Sequence, residues 1–598
     1  MKKSITFLAG IIISAGLFAQ VNSSFSHTNN LLKAKNDKIT MSGNEALSHL
    51  MIHPNPHTSA ILNSSKSTIN EEIIGTTTYD LQSNGAVQNR ILVHNDGEIS
   101  AAWTISQQYN TTYTDRGTGY NYFDGTNWGA APTDRLEASR GGWPSIIGLG
   151  NGTEASITHN TDNSYINNTY RPTIGTGSWY ESQISAGYMI WNRSASGGLD
   201  GNTIHMIGVT ASANFGGTPF NGLDGALVYY RSEDAGDSWN ITDMQLPGMD
   251  TSMYTGMNGD VYAIAAQDST VVVAYFDSWG DSYIVKSTDN GDTWTKTTFL
   301  DFPVDKYAMD DGLDLDNDDT LDYVYSTDNY GALILDPNGD AHVFYGIMRY
   351  VDNDLSDASS SWFPATNGIA YWNESFGEDT TPPTIHSGDT SIWYSDMMND
   401  HWVIEAPDLN GDGIVSGVDS TGGYSLYYAS YASMPNAGLD ASGNIWMSFS
   451  AYNETTDNGA QVFRHIYITK SEDGGVTWKN PVDVTTHDMW SGMQECVFGS
   501  MSPVVDEKIR IVYQLDFEPG LAVRGDEDLV DNNDIIYLEI DTVGLFDNTT
   551  TNIIESEYIN HNKDGRIFDI LGREWKTEFA DLPKGIYIID GKKIFKTK

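Results

Sequence analysis

One phrase recurs along this chain and limits what it can fold into: a turn of Asp, Asn and Gly, then a short strand of alternating apolar residues. It stands at Asn95-Asp96-Gly97, Gly150-Asn151-Gly152, Asp200-Gly201-Asn202, Asp268-Ser269, Asp336-Pro337-Asn338-Gly339, Asp440-Ala441-Ser442-Gly443 and Asp506-Glu507. Each copy reads as a tight hairpin feeding a buried strand. The copies are mostly about 50 to 70 residues apart, the length of a four-stranded blade. The interval from Gly339 to Gly443 is about twice the smallest, so it must carry an insertion. The expected fold is therefore all-β: a seven-bladed β-propeller, with six blades as the alternative. Aromatics at 12% and 58 glycines fit strands joined by tight turns.

A second phrase, Ser-x-Asp-x-Gly-x-[Ser/Thr]-Trp, occurs three times. The copies are Ser232, Asp234, Gly236 and Trp239; Ser287, Asp289, Gly291 and Trp294; and Ser471, Asp473, Gly475 and Trp478. Degenerate echoes end at Trp128 and Trp179. Ser and Asp side chains can bond amides within such a turn, Gly takes the positive-φ position, and Trp packs into the blade stack. These copies resemble the Asp-boxes, or BNR repeats, of sialidase-like propellers; the resemblance covers about residues 75–545, within a propeller expected over 71–545. In that family the boxes lie on the rim, away from the central active site. They imply the scaffold and say nothing about catalysis.

The two ends carry an address. Residues 1–19 combine the basic start Lys2-Lys3 with an apolar run from Ile5 to Phe18 and a small residue at Ala19, the pattern of a secretory signal peptide. Residues 20–70 are rich in Asn, Ser, Thr and His without a sustained period, and read as a flexible leader. Residues 546–598 form a small C-terminal β module with basic residues such as Lys563, Arg566, Arg573, Lys584 and Lys592. Gly565-Arg566-Ile567-Phe568 and Leu582-Pro583-Lys584-Gly585-Ile586-Tyr587 resemble the C-terminal sorting domain of the Bacteroidetes type IX secretion system. That resemblance implies export through the type IX machinery. Ser556 to Asn562 stands where that family usually has Tyr-Pro-Asn-Pro. The protein is then expected outside the cell or on its outer surface.

Lys and Arg number 32 against 80 Asp and Glu, a formal charge of -48. Such a surface repels phosphate backbones and anionic lipid, so nucleic acid is not an expected partner. No apolar run after the signal suggests a membrane span. The lone cysteine, Cys496, excludes an intramolecular disulfide.

Two acidic loops suggest calcium. In 408–419, Asp408, Asn410, Asp412, the carbonyl of Ile414, Ser416 and Asp419 fall at positions 1, 3, 5, 7, 9 and 12 of an EF-hand-like loop, with Gly413 at 6. It falls in the long interval, so it should order the inserted loop. A less regular set, Asp314, Asp316, Asp318 and Asp322, has alternating carboxylates, but Asp319 stands where the turn Gly belongs.

Catalytic signals are sparse. A sialidase needs three arginines to clamp a carboxylate, an Asp acid and a Tyr activated by Glu. The resemblance offers Arg90, ahead of Ile91-Leu92, as one clamp, although the family's Pro is absent here; Arg464 and Arg510 are available on later strands. No zinc-protease, P-loop, dinucleotide or nucleophile-elbow motif occurs. The favoured expectation is a surface propeller that binds glycan or protein through aromatic loops around Trp362, Trp372, Trp393 and Trp402, residues that could equally be blade packing. The competing expectation is a sialidase-like glycoside hydrolase acting on extracellular glycans.

Overall fold

The computed structural model describes residues 67–546 except 88, 161–164, 186–187, 357–358, 381–383, 386–391, 414, 416–424, 426, 486–491 and 525–527, and the backbone of four short strands between 567 and 596. The signal peptide expected over 1–19 and nearly all of the expected leader lie outside the described residues. The leader expected over 20–70 overlaps the first strand, Ile69–Thr77, which pairs with Asn533–Asp541 from Ile69 opposite Ile540.

Seven sheets follow one another around a ring, antiparallel except for one parallel pairing in the fifth, Tyr323–Leu335 with Ile392–Tyr394, and one in the sixth, Ala432–Asp440 with Val504–Val505. Their innermost strands are Ile91–Val93, Gly141–Gly148, Met189–Gly197, Tyr262–Gln267, Tyr323–Leu335, Ala432–Asp440 and Glu495–Met501. Each of the seven turn phrases joins one of these strands to the second strand of its blade. Gly97 and Gly152 sit there at φ 87° and 86°, a region closed to most side chains, which is why the phrase keeps Gly. The last blade is ordered Glu495–Met501, Lys508–Asp516, Asn533–Asp541 and then Ile69–Thr77. Its outer strand thus comes from the opposite end of the chain, which closes the ring and leaves no unpaired edge between first and last blades.

The insertion expected after Gly339 is present. The fifth blade adds Ser359–Phe363, Thr384–Ile385, Ile392–Tyr394, a short helix Asp396–Asp400 and Trp402–Ile404 to its central strands. The tryptophans expected on binding loops pack this blade instead. Trp372 is fully buried, 5.7 Å from Phe299, with its Nε1 donating to the Gly377 carbonyl at 2.9 Å. Trp362 is buried against Tyr428, Trp402 faces Tyr325, and Trp393 is half-buried. A large blade with extra strands needs bulky apolar filling, and the aromatics supply it.

Antiparallel order puts all loops that precede inner strands, and those between second and third strands, at one end of the ring, here called upper. The turn phrases and the Ser-x-Asp-x-Gly-x-[Ser/Thr]-Trp turns lie at the lower end. The C-terminal residues form a separate compact unit, Asp547–Lys598. It contains a four-stranded antiparallel sheet ordered Glu574–Trp575, Ile567–Asp569, Gly585–Ile589, Lys592–Lys596. Among the described residues no helix is long and apolar enough to cross a membrane.

Candidate functional site at the upper end

Residues 79–87 and 89–90 fill the centre of the ring from the upper end. Gln82 bonds the Thr104 amide at 2.8 Å in the first blade, and the Asn89 carbonyl accepts from Ile146 at 2.9 Å in the second. Ser83 and the Ala86 carbonyl accept from Arg193 of the third blade at 3.1 and 3.0 Å. Asn84 donates twice to Asp260, just ahead of the fourth blade's inner strand, at 2.8 and 3.0 Å. A side chain at Gly85 would strike the Asp260 and Asn329 carbonyls, the latter on the fifth blade. Asn436 of the sixth blade and Gln514 of the seventh donate to the Val87 and Asp80 carbonyls at 2.6 and 2.9 Å. This plug touches every blade, so the centre is closed by the chain itself.

Arg90 lies at the base of the plug. Its guanidinium is buried, donates to the Gln82 carbonyl at 2.9 Å, and has its affinity for the proton lowered to about 9 by burial and then by Arg193. Arg464 is buried, donates to the Ser430 carbonyl at 2.9 Å and lies 4.2 Å over the Tyr452 ring. Arg510 bonds Asp506 in a lower-end turn at 2.9 Å. The three arginines therefore serve separate partners and form no shared carboxylate clamp. Cys496 is buried and its thiol is pushed well up by burial, the opposite of an activated nucleophile.

The three Ser-x-Asp-x-Gly-x-[Ser/Thr]-Trp turns share one bonding pattern. The Ser232, Ser287 and Ser471 hydroxyls accept from the amides of Gly236, Gly291 and Gly475 at 2.9, 2.8 and 2.8 Å. Asp234, Asp289 and Asp473 accept from the amide and hydroxyl of Ser238, Thr293 and Thr477. The Thr293 bonds hold the exposed Asp289 down at about 2. Trp294 and Trp478 pack on Tyr229 and Tyr371 of the preceding blades, and Trp239 on Tyr230 of its own. The Ser and Asp side chains of the motif are spent within their own turns.

The acidic loops differ from one another. Asp408 accepts from the Gly411 and Gly413 amides at 2.6 and 2.8 Å, and Asn410 from Asp412 at 2.8 Å. Glu454, on a neighbouring strand, accepts from the Leu409 and Asn410 amides at 2.5 and 2.9 Å, a partner that no spacing within the loop could reveal. Ile414, Ser416 and Asp419 lie outside the described residues. In the second loop Asp314, Asp316 and Asp322 bring oxygens within 4.8 Å of one another. Asp318 is not in that group; it accepts from the Thr320 amide at 2.8 Å. Asp322 is buried, one oxygen taking the Leu315 amide at 2.6 Å and the other meeting no donor.

Two upper-end cavities are lined by charged groups. The larger, about 410 Å³, holds Asp115, Arg135 and Glu137. Their charges are already engaged: Asp115 by Ser106 and Gln107, Arg135 by four carbonyls, Glu137 by the Thr118 amide. The smaller, about 110 Å³, is lined by Tyr254, Asp277, Trp279, Asp281, Asp305 and Tyr307. Trp279 and Tyr307 stack with centroids 4.9 Å apart and rings 19° from parallel. Burial, with Asp281 beside it, pushes the Asp277 carboxyl up to about 6. Asp281 accepts from the Phe302 amide at 3.1 Å and pairs with Lys296 at 3.4 Å, and Asp277 accepts from the Trp279 amide at 3.0 Å, so it is the aromatic faces beside these carboxylates that make this pocket the better candidate for ligand recognition.

A third group was invisible to sequence spacing. Asp516, Asp528 and Asp531 bring oxygens within 4.8 Å of one another beside the plug residue Asp80. Burial first, then the neighbouring carboxylates, push Asp516 and Asp528 well up.

No protein-family model matches the chain, and no curated protein matches it. Among solved structures, a protein of unknown function from Dyadobacter fermentans is 12% identical, covers 79% of this chain and 99% of its own, and gives a TM-score of 0.33. An ulvan lyase, a polysaccharide lyase bound to -[GlcA(1-4)Rha3S]-, is 12% identical over 77% of this chain and 86% of its own, with TM-score 0.33. The Trypanosoma rangeli sialidase in complex with sialic acid is 11% identical over 80% of this chain and 59% of its own, with TM-score 0.30. The seven-bladed assignment rests on this chain's own strand pairing.

Proposed function

We propose that this chain is an exported propeller that binds neutral glycan at the upper-end pocket of Tyr254, Trp279 and Tyr307. The pocket's pairing of stacked rings with Asp277 and Asp281 carries the reading. Sugar faces stack on aromatic rings, and sugar hydroxyls donate to carboxylates. Lys306 also lines the pocket and Lys296 pairs with Asp281, but Asp277, Asp305 and a net charge of -48 leave the surroundings acidic and disfavour acidic sugars. Arg90 and Arg464 are buried with separate partners and Arg510 is paired at the lower end, which argues in the same direction, against a sialic-acid clamp. The lower-end turns are read as Asp-boxes that stabilise the scaffold, supported by their common bonding. Export through a signal peptide at 1–19 and a type IX sorting tail at 546–598 rests on the motifs quoted above. Calcium ordering the 408–419 loop, and the Asp314–Asp316–Asp322 group, rests on donor type and spacing.

A glycan array followed by calorimetry tests the binding role. Neutral oligosaccharides should bind and sialylated ones should not, and Tyr307→Ala should weaken binding about tenfold. Turnover of sialosides that disappears in Arg90→Ala would establish the hydrolase instead.

A further inference from the structure

We infer that Asp516, Asp528 and Asp531 hold a divalent cation of hard-oxygen preference, calcium above all, beside the plug that closes the propeller. Asp516 ends the second strand of the last blade, and Asp528 and Asp531 lie on the loop that leads to the third. Their three oxygens fall within 4.8 Å of one another. Calcium takes oxygens at about 2.3–2.6 Å, so ligands on opposite sides of one ion stand roughly 4.6–5.2 Å apart. All three carboxylates can therefore reach a single ion.

The second observation is unspent capacity. Asp516 is only 3% exposed. Its Oδ1 accepts from the Phe517 and Glu518 amides at 2.6 and 3.1 Å, while its Oδ2 is buried with no donor. Asp528 likewise has a buried Oδ2 with no donor. A buried carboxylate oxygen without a donor is costly, and several together multiply that cost. Among the described residues, no Lys or Arg forms an ion pair with any of the three. Arg524, on the same loop, is turned to the Tyr428 ring at 4.1 Å and to Asn84 at 3.4 Å. A cation supplies the missing partner.

Burial is graded from Asp516 inside, through half-buried Asp528, to exposed Asp531. That leaves one side open for the ion and its remaining waters, as calcium's six to eight ligands require. Asp80 of the plug, itself buried, accepts from the Ala522 and Val523 amides of the same loop. The ion would therefore fasten the loop to the plug. This site shares no residue with the glycan pocket or the two acidic loops.

Calorimetric titration of the chelator-stripped full chain with calcium tests the inference. Asp408→Asn with Asp412→Asn, and Asp314→Asn with Asp316→Asn, first remove the other two acidic loops. That chain should still bind calcium at one site, and adding Asp528→Asn with Asp531→Asn should weaken this binding by about tenfold or more. The exposed Asp531→Asn alone, which leaves the buried carboxylates in place, should show a smaller loss and a native circular dichroism spectrum. No heat with millimolar calcium in the loop-deficient chain would overturn the inference, as would unchanged affinity in the Asp528/Asp531 variants. Glycan binding does not enter these measurements, so its failure would leave them readable.

Discussion

The two ends of the propeller use the same residue, aspartate, in opposite ways. At the lower end Asp234, Asp289 and Asp473 are exposed or nearly so, and each carboxylate is occupied by the amide and hydroxyl of the residue four positions on. At the upper end Asp80, Asp277, Asp322 and Asp516 are buried, and Asp322 and Asp516 keep an oxygen with no donor. A carboxylate whose bonds are spent within its own turn builds scaffold. One withdrawn from water with capacity left over is available to a ligand, a cation or a proton. The difference is the reason for proposing a ligand site at the upper end.

Asp260 breaks that pattern and gives the largest expected effect. It is an upper-end carboxylate that is fully spent: it pairs with Arg193 at 2.7 Å, with both side chains almost completely buried, and accepts two bonds from Asn84 of the plug. Asp260→Ala should therefore behave as a scaffold mutation, leaving buried Arg193 without its counter-charge. We expect a loss of about 3–5 kcal/mol in denaturant unfolding. A loss under 1 kcal/mol would show that the plug is not held by this pair, and that the upper end is loosely built throughout.

Gly291→Ala probes the lower end with the next largest effect. Gly291 sits at φ 91°, and an added Cβ would collide with the Tyr229 hydroxyl of the preceding blade. The strained backbone and the overlap together should cost about 2–3 kcal/mol, read as a shift in the unfolding midpoint with unchanged slope. The control is Gly97→Ala, where φ is 87° but nothing lies within reach of the Cβ, and the loss should be smaller. Equal losses would mean that close approach between blades contributes nothing.

The fold was legible in the sequence because its signals are local. Every one of the seven turn phrases falls between the first and second strands of a blade, and each Ser, Asp and Gly of the longer motif finds its partner within four residues. The upper end is assembled from residues far apart in the chain. Asp80 meets the loop carrying Ala522, and Asn84 meets Asp260, so spacing along the chain has nothing to report. Where local acidic spacing did exist, it was a partial guide: Asp314, Asp316 and Asp322 converge while Asp318 turns to Thr320, and Glu454 joins the 408–419 loop from a separate strand. Aromatic content misled for a different reason. Trp372 fills a blade and Trp279 lines a pocket, and composition cannot tell a ring that packs inward from one that faces a cavity.

The smallest expected effect separates the two ends by pH. Glu495, at the upper start of the last blade's inner strand, is fully buried and accepts from the Arg464 amide at 2.6 Å. Burial pushes its carboxyl up to about 8 from 4.5, against the pull of Arg464. The folded state thus holds a proton that the unfolded state releases, so stability is fully present below about 4.5 and falls as pH rises toward 8. Asp289 has the opposite sign: held at about 2, it adds stability above its usual value of 3.8 and loses it only in acid. Buried histidines such as His205, pushed down to about 3, add a rise of their own below 6.5, so the fall from Glu495 is read between 6.5 and 8, where Asp80 and Glu405, raised to about 7, and His465, raised by Asp483, add falls of the same sign. Glu495→Gln, which keeps the shape and removes the titration, should reduce the fall in unfolding temperature across that window, while Asp289→Asn should leave it unchanged. A fall that persists undiminished in Glu495→Gln would assign it to other upper-end acids such as Asp80, and a fall removed by Asp289→Asn would erase the distinction between the two ends.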